Sequence, residues 1–262
     1  MFEGKKFNVR KMVVASVLGG LSIVLGMTPL GFIPIGPTKA TIMHIPVIIG
    51  AIIEGPVVGM FVGLIFGLSS IYSAIAQPTP VSFAFLNPLV SVLPRILIGI
   101  TTYYVYKALN KLGNKKARGL LNVIWIIIIG YLGYHIYSNI KGSGSVWQLV
   151  MNIILIILTI AMVYVTNTKF RNKALDIVVS SIVGTLTNTG LVLSMIYLFY
   201  RESFVKNLGI DTALAAKTIF GIGVTNGIPE TIAAIIIVTS VVSALKKRDT
   251  AKFESIGQSE NK

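Results

Sequence analysis

Three short stretches place polar or charged groups where an apolar chain has little reason to carry them. They are Asn87-Pro88 through Pro94-Arg95, Thr187-Asn188-Thr189, and Thr225-Asn226-Gly227-Ile228-Pro229-Glu230. Arg95 is the sharpest signal. It stands about nine residues, or roughly 13 Å at 1.5 Å per residue, inside an apolar run from Asn87 to Leu109. A guanidinium at that depth of a membrane costs at least about 2.5 to 3.5 kcal/mol, so it has to face a protein interior or a watery cavity and find a polar or anionic partner. Glu230 is the one acid well inside an expected span. Thr41 and His44, from a short second apolar segment, complete a set expected to line one outward-facing pocket: Thr41, His44, Asn87, Arg95, Asn188, Asn226 and Glu230.

Each of these residues also has a plainer reading. Arg95 paired with Glu230 as a structural ion pair is as well founded as ligand contact, and the two are compatible. Asn188 and Asn226 fit interhelical hydrogen bonds worth about 0.6 kcal/mol each. His44, two residues before Pro46, reads as a polar residue capping a helix, and Trp125, Trp147 and the tyrosines near span ends read as interfacial anchors.

Enzymatic chemistry finds no foothold. There is no Walker phosphate loop, His-Glu-x-x-His pair, Gly-x-Ser-x-Gly elbow or dinucleotide fingerprint. With zero Cys and only two His, neither thiolate chemistry nor a zinc centre is expected, and no cofactor or metal is called for. The protein is therefore expected not to be an enzyme.

The elements that must position these groups are membrane helices. Hydrophobic residues make up 54% of the chain, charged ones 12%, and the mean hydropathy is +0.81, which marks an all-α, polytopic membrane helix bundle. Its net charge of +14 reflects loop charges on one side of the bilayer and not a nucleic-acid partner. The apolar segments run 12–30, 42–53, 57–76, 87–109, 120–137, 147–165, 174–200 and 219–245, eight in all. Lys and Arg crowd the N-terminus, 107–118, 169–173 and 246–262, whereas Lys39, Lys141, Arg201, Lys206 and Lys217 fall on the other side. Both termini are therefore expected in the cytoplasm of a multi-pass cell-membrane protein.

Between the spans, Thr28 to Pro37 is too rich in Pro and Gly for helix and is expected to be an external loop. Glu54-Gly55-Pro56 is expected to be a tight cytoplasmic turn, and Arg201 to Lys217 an external loop. Gly59, Gly63 and Gly67, four apart, form a smooth stripe for close helix packing. Gly227 and Pro229 are expected to break the last helix, and 249–262 to be a disordered polar tail. The first helix carries a small-residue spacing at Ala15 and Gly19 that suits helix approach within or between chains.

Taken together, the pieces resemble the substrate-binding S component of energy-coupling-factor vitamin transporters. They are Thr28-Pro29-Leu30-Gly31 with Ile33-Pro34, Met43-His44-Ile45-Pro46, Glu54-Gly55-Pro56, Leu86-Asn87-Pro88 through Pro94-Arg95-Ile96-Leu97, Thr187-Asn188-Thr189, and Thr225 through Glu230. The resemblance implies a six-helix binding protein that captures a water-soluble vitamin outside and delivers it by toppling within the membrane. A transmembrane coupling protein and two cytoplasmic ATPase subunits supply the drive. It also implies that Ala15 and Gly19 contact the coupling protein, Gly19 standing where a second Ala is usual, and that the loop 28–37 is a lid. One transmembrane domain, 1–248, is then a core of 10–110 and 174–248 interrupted by an inserted hairpin, 120–166. The loop pattern looks most like the pantothenate branch. Arg95 suits a carboxylate, and a Pro-Arg pair is equally compatible with branches that bind riboflavin, folate or other solutes. The competing function is a stand-alone ion-coupled secondary carrier or channel for a small solute.

Overall fold

Backbone in apolar surroundings has to satisfy its own N–H and C=O groups, and a helix does this within one segment. The computed structural model describes residues 9–35, 38–112, 114–141, 146–168 and 175–259. Lys5, Lys6, Lys169, Arg171, Lys173 and the hairpin tip 142–145 lie outside them. The described elements are α1 Val9–Met27, β1 Phe32–Ile35, β2 Thr38–Thr41, α2 Ile45–Glu54, α3 Pro56–Ala76, α4 Pro88–Ser91, α5 Leu93–Leu112, α6 Asn114–Lys141, α7 Val146–Thr168, α8 Leu175–Asn207 and α9 Ala215–Ser259. Six stretches among them are long and apolar enough to cross a membrane: Val9–Met27, Pro56–Ala76, Pro88–Lys111, Asn122–Lys141, Leu175–Asn207 and Thr212–Lys247. Ile45–Glu54 and Asn152–Ala161 are shorter apolar helices.

One compact unit comprises residues 1–105 and 180–262. Here α1 packs on α2 and α3, α2 packs on α3 and α9, and β2 lies against α9. Helix α2 is apolar on every side and buried from Ile45 through Ile52, as suits a helix surrounded by protein. It ends at Gly55, whose φ of 99° suits a residue without a side chain, and Pro56 starts α3 at once. The expected turn at Glu54-Gly55-Pro56 is thus formed. Arg10 Nε donates to Glu54 Oε1 at 2.7 Å and ties the start of α1 to the end of α2. A second apolar core joins Val90, Val192, Ile196, Phe204, Val205 and Ile219.

The other compact unit comprises 106–179. In it α6 and α7 pack on each other, and Trp125, Leu132 and Leu155 are buried. Trp125, expected as an interfacial anchor, is only 3% exposed. The Trp147 side chain is outside the described set.

The backbone differs from expectation in five places. Residues 28–37 are not wholly irregular: a 3₁₀ turn at Pro29–Gly31 leads into an antiparallel ribbon in which Phe32 faces Thr41 and Ile35 faces Thr38. Pro34 is tolerated because two strands leave each strand with an edge that needs no donor. The run 87–109 is not one helix but α4 and α5, parted at Val92. Gly227 and Pro229, by contrast, do not interrupt α9, since a proline removes one intrahelical bond and the flanking turns carry on. The expected loop 201–217 shrinks because α8 runs to Asn207 and a 3₁₀ turn at Thr212–Leu214 leads straight into α9. Finally, α9 continues through the polar stretch 249–259, where an established helix adds residues without a new nucleus.

Candidate functional site

Pro94 explains why Arg95 sits where it does. A helical N–H at position 94 would bond the carbonyl of residue 90, and proline has none, so the Val90 carbonyl loses its main-chain partner. Helical side chains lean back toward the N-terminus. The Arg95 guanidinium does so and supplies the missing donor, with Nη1 donating to Val90 O at 2.6 Å. Arg95 is 5% exposed, with Phe66 and Phe85 ring centroids 5.2 and 5.9 Å from its guanidinium carbon. Its Nε has no hydrogen-bond partner.

The glycine stripe brings α3 close enough to enclose this turn. A methyl group at Gly63 would run into the Arg95 carbonyl, one at Gly59 into α2 at Ala51 and α5 at Gly99, and one at Gly67 into the backbone at Val92. The packing role expected for these glycines is the one observed.

Polar groups from β2, the start of α2, α8 and α9 share the interior of this unit with Arg95. His44 is fully buried, and its Nε2 lies 3.0 Å from the hydroxyl of Thr185 on α8. The Thr41 carbonyl lies close to the imidazole, but Nδ1 makes no hydrogen bond of good geometry. His44 occupies the position before α2 without a side-chain capping bond, so the simple capping reading does not describe it. Glu230, 4% exposed, accepts from the Thr41 N–H and hydroxyl and from the Thr189 hydroxyl. Both His44 and Glu230 lie near enough to Arg95 for its charge to act on them. Yet among the described residues no ion pair within 4 Å joins Arg95 to Glu230. Asn188 is buried one residue before Thr189, with its Oδ1 unpartnered.

Not every expected residue joins this cluster. Asn87 caps α4, its Oδ1 accepting from Leu89 N–H at 2.9 Å, and its Nδ2 donates to the Tyr200 hydroxyl at 3.1 Å. Both ends of that amide therefore hold structure. Asn226 is half-buried, one turn before Glu230 on α9. Ala15 and Gly19 face inward, and a methyl at Gly19 would meet the Ile65 side chain of α3. A cavity of about 300 Å³ lined by Tyr197, Arg201, Glu202, Thr212, Ala213, Ala215 and Ala216 contains none of the expected site residues.

Thr185 and Phe66 were not anticipated. Thr185 was findable: Ser181, Thr185, Asn188 and Thr189 follow the i, i+4, i+7, i+8 spacing that puts residues on one face of a helix. A polar face on an otherwise apolar crossing marks the side turned to a polar interior. Phe66 carries no such signal.

Comparison with known proteins decides what kind of protein holds this cluster. The family model described as "ECF transporter, substrate-specific component" matches residues 10–141, just over half of the chain. The chain belongs to this family. The S component is also similar to the pantothenic acid transporter PanT of Lactococcus lactis subsp. cremoris, with 28% identity over 225 residues, 80% of either chain. It is similar as well to the pantothenate transporter PanT of Leuconostoc mesenteroides subsp. mesenteroides, with 29% identity over 134 residues, 45% of this chain and 64% of the relative. As an S component it is a multi-pass membrane protein of vitamin uptake, not an enzyme, and its family works with an energy-coupling-factor module.

Proposed function

We propose that this S component captures pantothenate from outside the cell and holds its carboxylate on Arg95. The observation that carries this reading is the state of that guanidinium: buried, tethered to one backbone carbonyl, with Nε unused and no ion pair to Glu230. A buried donor left unmet costs about 1 to 3 kcal/mol, more when charged, and an incoming carboxylate removes that cost. Pantothenate also offers an amide and two hydroxyls, which suit the unpartnered Oδ1 of Asn188 and Nδ1 of His44. Asn226, on the Glu230 face of α9, and Thr41, beside His44, complete the lining. Both relatives are named for transport of this vitamin.

The drive comes from a transmembrane coupling protein and two cytoplasmic ATPases, and both termini lie in the cytoplasm, in keeping with the crowding of Lys and Arg on that side. Helices α6 and α7 form an extra transmembrane hairpin that adds two apolar segments to a six-helix core, eight in all.

Mass spectrometry of the small molecule retained through purification is expected to return pantothenate, and titration of Arg95→Ala to show at least about tenfold weaker binding, or 1.4 kcal/mol. Retention of a solute without a carboxylate, or unchanged affinity in the variant, refutes the assignment.

A further inference from the structure

Glu230 places both of its oxygens on the protein itself. Oε1 accepts from the Thr41 N–H at 2.7 Å and from the Thr41 hydroxyl at 3.3 Å, while Oε2 accepts from the Thr189 hydroxyl at 2.9 Å. Along an antiparallel ribbon, alternate N–H groups point away from the partner strand and need an acceptor elsewhere. Thr41 is the last residue of β2, opposite Phe32, and its N–H goes to Glu230. The next N–H, of Ile42, returns to Gly31 O at 3.0 Å. The base of the ribbon is therefore held from two directions, inward by its own turn and sideways by a carboxylate on α9 that also grips α8. The sideways hold brings three donors to one carboxyl group, the inward hold one. With both oxygens engaged in this way, Glu230 has little left to offer a solute.

We propose that Glu230 is a positioning residue: its carboxylate clasps the base of the ribbon of β1 and β2 to α8 and α9 and sets how often the ribbon parts from them. The clasp does not rest on the Arg95 reading given above. The chain has no cysteine, so Ile42→Cys, half-buried directly after Thr41, gives a single reactive site at the base of the ribbon. Its labelling by a water-soluble maleimide is followed on the purified full-length protein with no solute present. Glu230→Ala, which leaves no acceptor for Thr41 or Thr189, and Thr189→Val are each expected to raise the labelling rate at least about fivefold, whereas Thr189→Ser, which keeps the hydroxyl, leaves it unchanged. If Glu230→Ala does not fold, the Thr189 pair decides alone. Unchanged labelling in Thr189→Val, or an equal rise in Thr189→Ser, overturns the clasp. Failure of the Arg95 reading would show in solute binding and leave these rates where they are.

Discussion

Pro94 and Arg95 act as one unit, because the residue that withholds a donor from Val90 is followed by the residue that provides one. The hydrogen bond from Arg95 Nη1 is charge-assisted, a class worth about 1.5 to 3 kcal/mol net. Pro94→Ala puts an N–H back within reach of Val90 O and competes with the guanidinium for it. The expected outcome separates two quantities that usually move together. Thermal stability stays the same or rises, since a helix interior prefers Ala to Pro, while pantothenate affinity falls several-fold as the guanidinium loses its anchor. Melting temperature and equilibrium binding, measured on one preparation, check this. A loss of both would make Pro94 a packing residue and nothing more.

At the scale of elements, the close approach of α3 to α4 and α5 fixes the turn that carries Arg95. Gly63→Ala places a methyl against the Arg95 carbonyl, and overpacking of this kind costs about 1 to 3 kcal/mol. Gly20→Ala on α1 meets nothing within 4 Å and serves as its control. A lower melting temperature and weaker solute binding are expected for Gly63→Ala alone; equal behaviour of the two would refute the stripe's role. This stripe was legible in the sequence, because four-residue spacing of glycines in an apolar helix has few other uses. The six long helices were legible for the same reason of composition, and so was the burial of Arg95. Breaks were misjudged. The sequence points to Gly227 and Pro229, yet the chain parts at Val92, because a lone proline perturbs one hydrogen bond and the surroundings decide whether the helix continues. The ribbon escaped notice because four-residue strands containing proline carry almost no periodic signal. Asn87, expected in the pocket, caps α4, since an asparagine before proline serves either use and the Leu89 N–H reveals the cap.

At the scale of the whole molecule, the buried acid that an ion-coupled carrier would need for a proton relay is already engaged with Thr41 and Thr189. Vesicles containing the protein alone are expected to show no pantothenate uptake under a proton or sodium gradient, and to gain it when coupling protein, ATPases and ATP are added. Gradient-driven uptake by the protein alone would favour the stand-alone carrier. The tether from Arg95 to Val90 has one last bearing on such a system. A receptor with a bare cation in its middle would be unstable at rest, but here the cation leans on a carbonyl of its own chain. On the reading proposed above, a solute meets the unused Nε while Nη1 stays on the carbonyl, so the guanidinium is held in place before and after loading. If Arg95 holds the solute as proposed, guests lacking an anionic end leave that Nε unmet, and scavenging from a dilute, mixed medium is selective before any pocket shape is considered.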